Sequence, residues 1–205
     1  NISEIISTPL TIIVNQMLTN AYYPTHFKSA NLTPIYKKGD KKDPANYRPI
    51  TTLHNLSKLF KKILLLRIEQ FINTFTILPN NQFGFRKKHS TKDAAVYFLL
   101  NTEKNIIKNN KSLAILLDLS KAFDNVNHKK LLTILYQQGI RGHCHNLISD
   151  FHNWRTFRIK IDKSFSKYQP LQKGVPQGSI LSPLLYTLYT ADINSISENI
   201  IMYAD

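Results

Sequence analysis

The apolar positions change period along the chain. Behind Pro9 they recur every three to four residues at Leu10, Ile13, Val14, Met17 and Leu18, which predicts an amphipathic helix with proline in its first turn, ending before Pro24. Residues 30–36 alternate and predict a strand, and Lys37-Lys38-Gly39-Asp40 reads as a turn. A basic, proline-containing stretch leads to Tyr47-Arg48-Pro49-Ile50. Helical spacing returns through Leu59, Phe60, Ile63, Leu64, Ile68, Phe71 and Ile72, with Lys58, Lys61 and Lys62 assigned to the opposite face. After Pro79 a loop holds Gln82-Phe83-Gly84-Phe85-Arg86, and Ser90 or Thr91 caps a helix through Ala94, Ala95, Phe98, Leu99 and Ile106.

The middle of the chain differs. Residues 112–117 form a short, nearly continuous apolar run ending in Asp118, the pattern of a strand buried on both faces. A helix over 128–138 follows, with Gly139 as its C-cap, then a short helix over 143–151. Residues 155–162 and 165–171 read as a hairpin around Lys163-Ser164. Ser182 and Pro183 open a helix, as N-cap and first-turn proline, that runs to about Ile196. Residues 200–203 are strand-like and lead into Asp205. With no repeat and no low-complexity linker, the layout is α+β, helices first, then strands mixed with helices that cover one face of a sheet.

Composition narrows the partners. Apolar residues make up 42% of the 205, enough for a core, and 27 Lys plus Arg against 13 Asp plus Glu leave a net charge of +14. Such an excess on a folded domain favours a polyanion, nucleic acid first, over a charge that serves solubility alone. No apolar run, that at 63–66 included, is long enough to span a bilayer. No signal-peptide pattern stands at the start, and a chain that begins at Asn1 reads as an excerpt. Cys144 is the only cysteine, which excludes an internal disulfide and a cysteine-based zinc site and fits a reducing compartment.

Two aspartates follow apolar strands. A carboxylate at the mouth of a buried strand is costly unless it meets a cation or donors. If the strands before Asp118 and Asp205 are neighbours, ladder spacing of roughly 4.8 Å brings the two acids together, and such a pair suits Mg²⁺, which takes its other ligands from water and phosphate. Two ions roughly 3.5–4 Å apart catalyse nucleotidyl transfer. On the residues alone this weighs evenly with Asp118 as a cap of the turn into Ser120-Lys121. Asp124 reads as structural, bonding amides near Val126 and Asn127. Phe123 either closes the space that a ribose 2′-hydroxyl needs or packs as a core phenylalanine. Gly174-Val175-Pro176-Gln177-Gly178-Ser179 permits a tight turn that a base or sugar can approach, with Gln177 as both donor and acceptor. Lys37, Lys38 and Arg48 flank a hairpin-like arm that could neutralise a triphosphate. Arg86 could hold a template phosphate or an acidic structural partner.

These blocks together resemble reverse transcriptases. Leu117-Asp118-Leu119-Ser120-Lys121-Ala122-Phe123-Asp124 with Asn127-His128, the run 174–183, and Tyr203-Ala204-Asp205 are similar to those of non-LTR (LINE-type) retrotransposons, especially the jockey-like group. Upstream, Pro34-Ile35-Tyr36-Lys37-Lys38-Gly39-Asp40, Asn46-Tyr47-Arg48-Pro49-Ile50 and Gln82-Phe83-Gly84-Phe85-Arg86 agree in order and spacing. The resemblance implies a right-hand polymerase. Residues 1–110 would be the N-terminal extension and fingers, residues 111–205 a palm with an antiparallel sheet backed by helices, and the thumb is absent. It implies that Asp118 and Asp205 hold two Mg²⁺ ions (Mn²⁺ the alternative), that Phe123 is the sugar gate, and that Gln177 and Gly178 lie at the nucleotide. Lys37 or Lys38, with Arg48, would contact the triphosphate, while Arg86 and Gly174 would contact nucleic acid. RNA template, DNA primer and dNTPs would be the partners, with action in the nucleus after a cytoplasmic ribonucleoprotein stage, and no membrane. The chain ends one residue short of the second Asp of the Tyr-Ala-Asp-Asp motif, so the excerpt alone is expected to be inactive. Lys61 stands where the family commonly has Glu, and Trp154 where it commonly has Asn. The rival reading is a catalytically silent nucleic-acid-binding remnant; a group II intron-type maturase is disfavoured by the jockey-like block at Asp118.

Overall fold

The computed structural model describes residues 2–197 and 199–203. Apolar spacing and core burial agree along its main helices. In α2 (Asn55–Thr74) Phe60, Leu64, Ile68 and Ile72 form an i, i+4 stripe that is almost fully buried. It joins Leu131 and Leu135 of α4 (His128–Gln137), Leu147, Ile148 and Phe151 of α5 (Gly142–His152), and Leu185 and Leu188 of α6 (Ser182–Thr190) in one core. Met17 of α1 (Ile2–Thr19) and Tyr23 just beyond it close that core. α1 starts ahead of Pro9 and runs through it, so the proline is inside the helix rather than in its first turn. Gly139 follows α4 at φ 89, the left-handed value expected of a helix-ending glycine.

The sheet has the order β2-β1-β3-β4, with β5 also on β3. β1 (Ser29–Tyr36) and β2 (Tyr47–Thr52) are antiparallel, from Asn31 opposite Thr52 to Tyr36 opposite Tyr47. β3 (Thr156–Ile161) lies parallel to β1, and β4 (Ser164–Phe165) and β5 (Gln169–Pro170) fold back antiparallel on it, so the sheet is mixed. It draws strands from both sides of residue 110.

Four expectations change. The run 112–117 is not a strand: among the described residues it makes no backbone hydrogen bond, and Leu116 is 91% exposed. The stretch 200–203, expected to form a strand beside it, instead bridges the loop after Pro79, where Met202 N–H donates to Asn81 O at 3.0 Å and Phe83 N–H donates to Met202 O at 2.8 Å. An apolar run without a ladder partner has nothing to bury it. Lys61, expected on the polar face of α2, is only 1% exposed, because it follows buried Ser57 by four residues and precedes Leu64 by three, which sets it inside the one buried stripe. α6 has Leu181 as N-cap, and Ser182, one position inside, uses its hydroxyl to donate to Pro176 O at 2.9 Å. α6 ends at Thr190 and a 3₁₀ turn (Ala191–Ser195) completes the predicted helix.

α3 (Thr91–Ile107) opens on a capping box, Ser90 Oγ accepting from Asp93 N–H while Asp93 Oδ2 accepts from Ser90 N–H at 2.7 Å. None of its described side chains is buried, although Phe98, Leu99 and Ile106 are apolar.

Candidate active site

The glycine loop 174–178 is a clamp between two distant parts of the chain. Gly174 N–H donates to Val126 O at 2.8 Å and Val175 N–H to Phe123 O at 2.9 Å, which ties the loop to the 3₁₀ turn Phe123–Asn125. On its other side, Thr51 N–H on the edge of β2 donates to Gln177 O at 2.9 Å. The Gln177 amide then donates to Asp124 Oδ1 at 2.9 Å, so one residue joins the Arg48-bearing strand to the Phe123 turn. Asp124 therefore holds a side-chain amide, not the nearby backbone amides that local spacing suggests.

Both glycines have φ near +90°, 89 at Gly174 and 94 at Gly178. A Cβ at Gly174 would sit 2.9 Å from Asp124 O, so the space beside this buried glycine belongs to the protein's own turn. Gly178 is exposed, and its Cβ position meets Thr51 O at 3.2 Å. Behind the loop, His128 Nε2–H donates to Gly174 O at 2.8 Å, and burial lowers this imidazole's pKa while the bond to Gly174 partly offsets it. Phe123 is half-buried, stacked on Tyr186 at 4.9 Å and 23° and met edge-on by Phe85 at 5.7 Å. It belongs to an aromatic cluster and stays partly exposed.

The basic arm is rigid at its base and free at its charges. Lys37 N–H donates to Asn46 O at 2.9 Å, Tyr36 Oη–H to Gly39 O at 2.7 Å, and Tyr47 Oη–H to Lys41 O at 2.9 Å. The side chains of Lys37, Lys38 and Arg48 are exposed, and among the described residues the ion pairs are Lys28–Asp150 and Lys87–Glu69. Arg86 is engaged elsewhere: its Nη1 donates to Pro79 O at 2.9 Å and braces the loop that carries Phe85.

The acids are less assembled. Asp118 lies on the exposed coil ahead of the Phe123 turn and makes no hydrogen bond or ion pair among the described residues. Asp205 lies outside the described residues, and among those described no three His, Cys, Asp or Glu side chains converge. Asp118, a carboxylate without a partner among the described residues, fits one ligand of a hard divalent ion that draws the rest from water and phosphate.

A family model described as reverse transcriptase (RNA-dependent DNA polymerase) matches residues 35–205. The chain belongs to this family. Over 185 residues this reverse transcriptase domain is 31% identical to a probable RNA-directed DNA polymerase from transposon BS of Drosophila melanogaster. It is 31% identical over 186 residues to the RNA-directed DNA polymerase from mobile element jockey of the same organism. In each case 90% of this chain aligns, and it spans only 20% of the relative's length. A solved structure of apo telomerase from Candida tropicalis, truncated from its C-terminal domain, shares the fold with a TM-score of 0.53 at 15% identity, covering 97% of this chain and 48% of that one. Among the described residues, no helix of the domain is long and apolar enough to cross a membrane.

Three groups in this site escape sequence reasoning. Asp124 and Gln177 are 53 residues apart, so no local pattern pairs them. Tyr186, under Phe123, reads simply as one apolar position of α6. Thr51 acts through its backbone, and Pro49 with Arg48 masks the strand that presents it.

Proposed function

We propose that residues 1–110 are the N-terminal extension and fingers, and residues 111–205 the palm, of an RNA-directed DNA polymerase of a non-LTR retrotransposon. It would extend a DNA primer on an RNA template with dNTPs. The observation that carries this reading is the clamp through Gln177, which joins the Arg48 strand, the glycine loop and the Phe123 turn in a chain of this family. Lys37, Lys38 and Arg48 would neutralise the triphosphate from the arm, as fixed cations do in phosphoryl transfer. Gln177, with its amide N–H₂ held by Asp124, keeps its carbonyl oxygen and the exposed Gly178 backbone for the incoming nucleotide. Phe123, partly exposed, would crowd a ribose 2′-hydroxyl. Asp118 and Asp205 would hold two Mg²⁺ ions, which when bound would activate the primer hydroxyl and stabilise the leaving pyrophosphate.

The test is primer extension on an RNA template with the full-length parent protein. Asp118→Ala is expected to reduce dNTP incorporation to background; incorporation equal to the parent's would remove the metal-ligand role. Phe123→Ala is expected to raise ribonucleotide incorporation relative to dNTPs, and unchanged sugar selection would return Phe123 to the core.

A second reading, a catalytically silent nucleic-acid-binding remnant, is favoured by one observation. Lys61 and Arg155 are buried against the same ring and form no ion pair among the described residues, a mismatch of the kind that accumulates in a gene copy free of selection. Parent protein that binds RNA but extends no primer, with Asp118 intact, would favour this reading.

A further inference from the structure

The sheet face that carries Arg48 leads away from the arm to a cavity. Strand alternation sets Arg48, Ile50 and Thr52 of β2 on one face with their partners Ile35, Thr33 and Asn31 of β1. Arg158 of β3 joins this face opposite Asn31, and its Nε–H donates to Asn31 Oδ1 at 2.8 Å. From Arg48 to Thr52 is about 13 Å along the strand. There the face opens into a cavity of about 340 Å³ lined by His26, Asn31, Thr52, His54, Arg158 and Tyr168, among others, and by no carboxylate.

The lining combines charge with flat rings. The Arg158 guanidinium lies 4.0 Å from the Phe165 ring centroid and 5.0 Å from that of Tyr168, and Nε–H is its only donor with an acceptor among the described residues. The rings of His26 and His54, also in the lining, lie 4.6 Å apart with their planes tilted by 39°. Phe165 and Tyr168 are both about half exposed. The hairpin that bears them adds Lys160, Lys163 and Lys167 against a single acid, Asp162. A basic surface with exposed aromatic rings suits unpaired bases on a phosphate backbone, whereas an acidic peptide would leave the ring faces unused.

We propose that this cavity is a single-stranded RNA site separate from the polymerase centre. Arg158 holds a phosphate with its free N–H fork, Tyr168 and the His26–His54 pair offer faces to a base, and the Asn31 and Thr52 side chains reach a ribose 2′-hydroxyl. None of these residues belongs to the proposed catalytic set, and the site stands on its own lining rather than on the polymerase reading.

Fluorescence anisotropy of this chain with a labelled, U-rich RNA of about twelve nucleotides, without dNTP or divalent metal, tests it. A negative result then leaves the polymerase reading untouched. Arg158→Ala and Tyr168→Ala are each expected to weaken binding about tenfold, and Arg158→Ala to reduce the salt slope by about one. Arg158→Lys keeps the charge but loses the fork and the stacking, and is expected to fall nearly as far. Lys104→Ala on α3 removes the same charge outside the sheet and is expected to bind within about twofold of the parent. Thermal melts of the variants establish that they remain folded; Tyr168, being exposed, leaves the core intact. DNA of the same sequence is expected to bind several-fold more weakly. Folded Arg158→Ala and Tyr168→Ala proteins that bind like the parent would overturn the site, as would equal competition by duplex RNA or poly-glutamate. Equal binding of DNA would overturn the assignment to RNA.

Discussion

Lys61 and Arg155 approach the same Phe151 ring, at 5.3 and 4.5 Å from its centroid, and Lys61 Nζ, Arg155 Nε and Arg155 Nη1 have no hydrogen-bond partner among the described residues. Burial, with the charge of Arg155 adding to it, pulls the Lys61 ammonium from 10.5 down to about 7. The unfolded chain therefore keeps a Lys61 proton that the folded chain has shed between about pH 7 and 10.5. Stability is expected to rise with pH across that window, and below about pH 7 the full penalty applies, on the order of a few kcal/mol. Urea midpoints measured from pH 7 to 10 would show this rise. Lys61→Met should flatten it and stabilise the protein near neutrality; a variant with the parent's slope would clear Lys61 as its source. Lys61→Glu places a carboxylate beside Arg155 and should stabilise too. Trp154 offers a parallel case. It is 87% exposed and sits at φ 59, a conformation that costs a β-carbon-bearing residue roughly 1–2 kcal/mol and that Asn tolerates better. Trp154→Asn is expected to raise stability by about 1 kcal/mol in the same urea assay.

Among elements, the glycine loop is the joint most sensitive to change. Gly174→Ala adds a Cβ 2.9 Å from Asp124 O at φ 89, so it is expected to destabilise by about 2 kcal/mol and to loosen the Gln177 bond. Hydrogen exchange at the Val175 and Thr51 amides reads that loosening, and parent-like protection would show that the turn yields without opening the clamp. α3 depends on its ends, since none of its described side chains is buried. Much of this architecture is legible in the sequence. The helices from α1 to α6, β1 and the hairpin of β3 with β4 and β5 follow from spacing, caps and turn residues, because those signals are local. What the sequence conceals depends on neighbours. The run 112–117 has the composition of a buried strand but no ladder partner among the described residues. Lys61 reads as surface by its charge, yet its spacing of four from Ser57 and three from Leu64 sets it on the buried face of α2. Arg48 and Pro49 conceal β2, which nonetheless pairs along its whole length with β1. The blocks that mark the family were readable as order and spacing. How the glycine loop is held could not be, because Asp124 and Gln177 meet only through the fold.

On the scale of the molecule, charge is poorly compensated. The chain carries +14, and the ion pairs among the described residues are Lys28–Asp150 at 2.8 Å and Lys87–Glu69 at 2.6 Å. Self-repulsion of this size is screened by salt, so raising NaCl from about 0.05 to 0.3 M is expected to increase the melting temperature by a few degrees while weakening RNA binding. A melting temperature that does not move would mean that the charges are already dispersed beyond mutual reach. The bare segment 113–117 pulls in the other direction. It has no charge and no proline, it is wholly apolar, and its backbone donors and acceptors make no bond among the described residues. Copies of the same segment can satisfy one another through stacked, in-register strands. Salt that stabilises each molecule also removes the repulsion that keeps neighbours apart, so preparations of this chain should pass from clear solutions to thioflavin-positive fibrils as ionic strength and concentration climb. Leu116→Lys, a gatekeeper charge in the middle of the run, should delay that transition without changing the melting temperature.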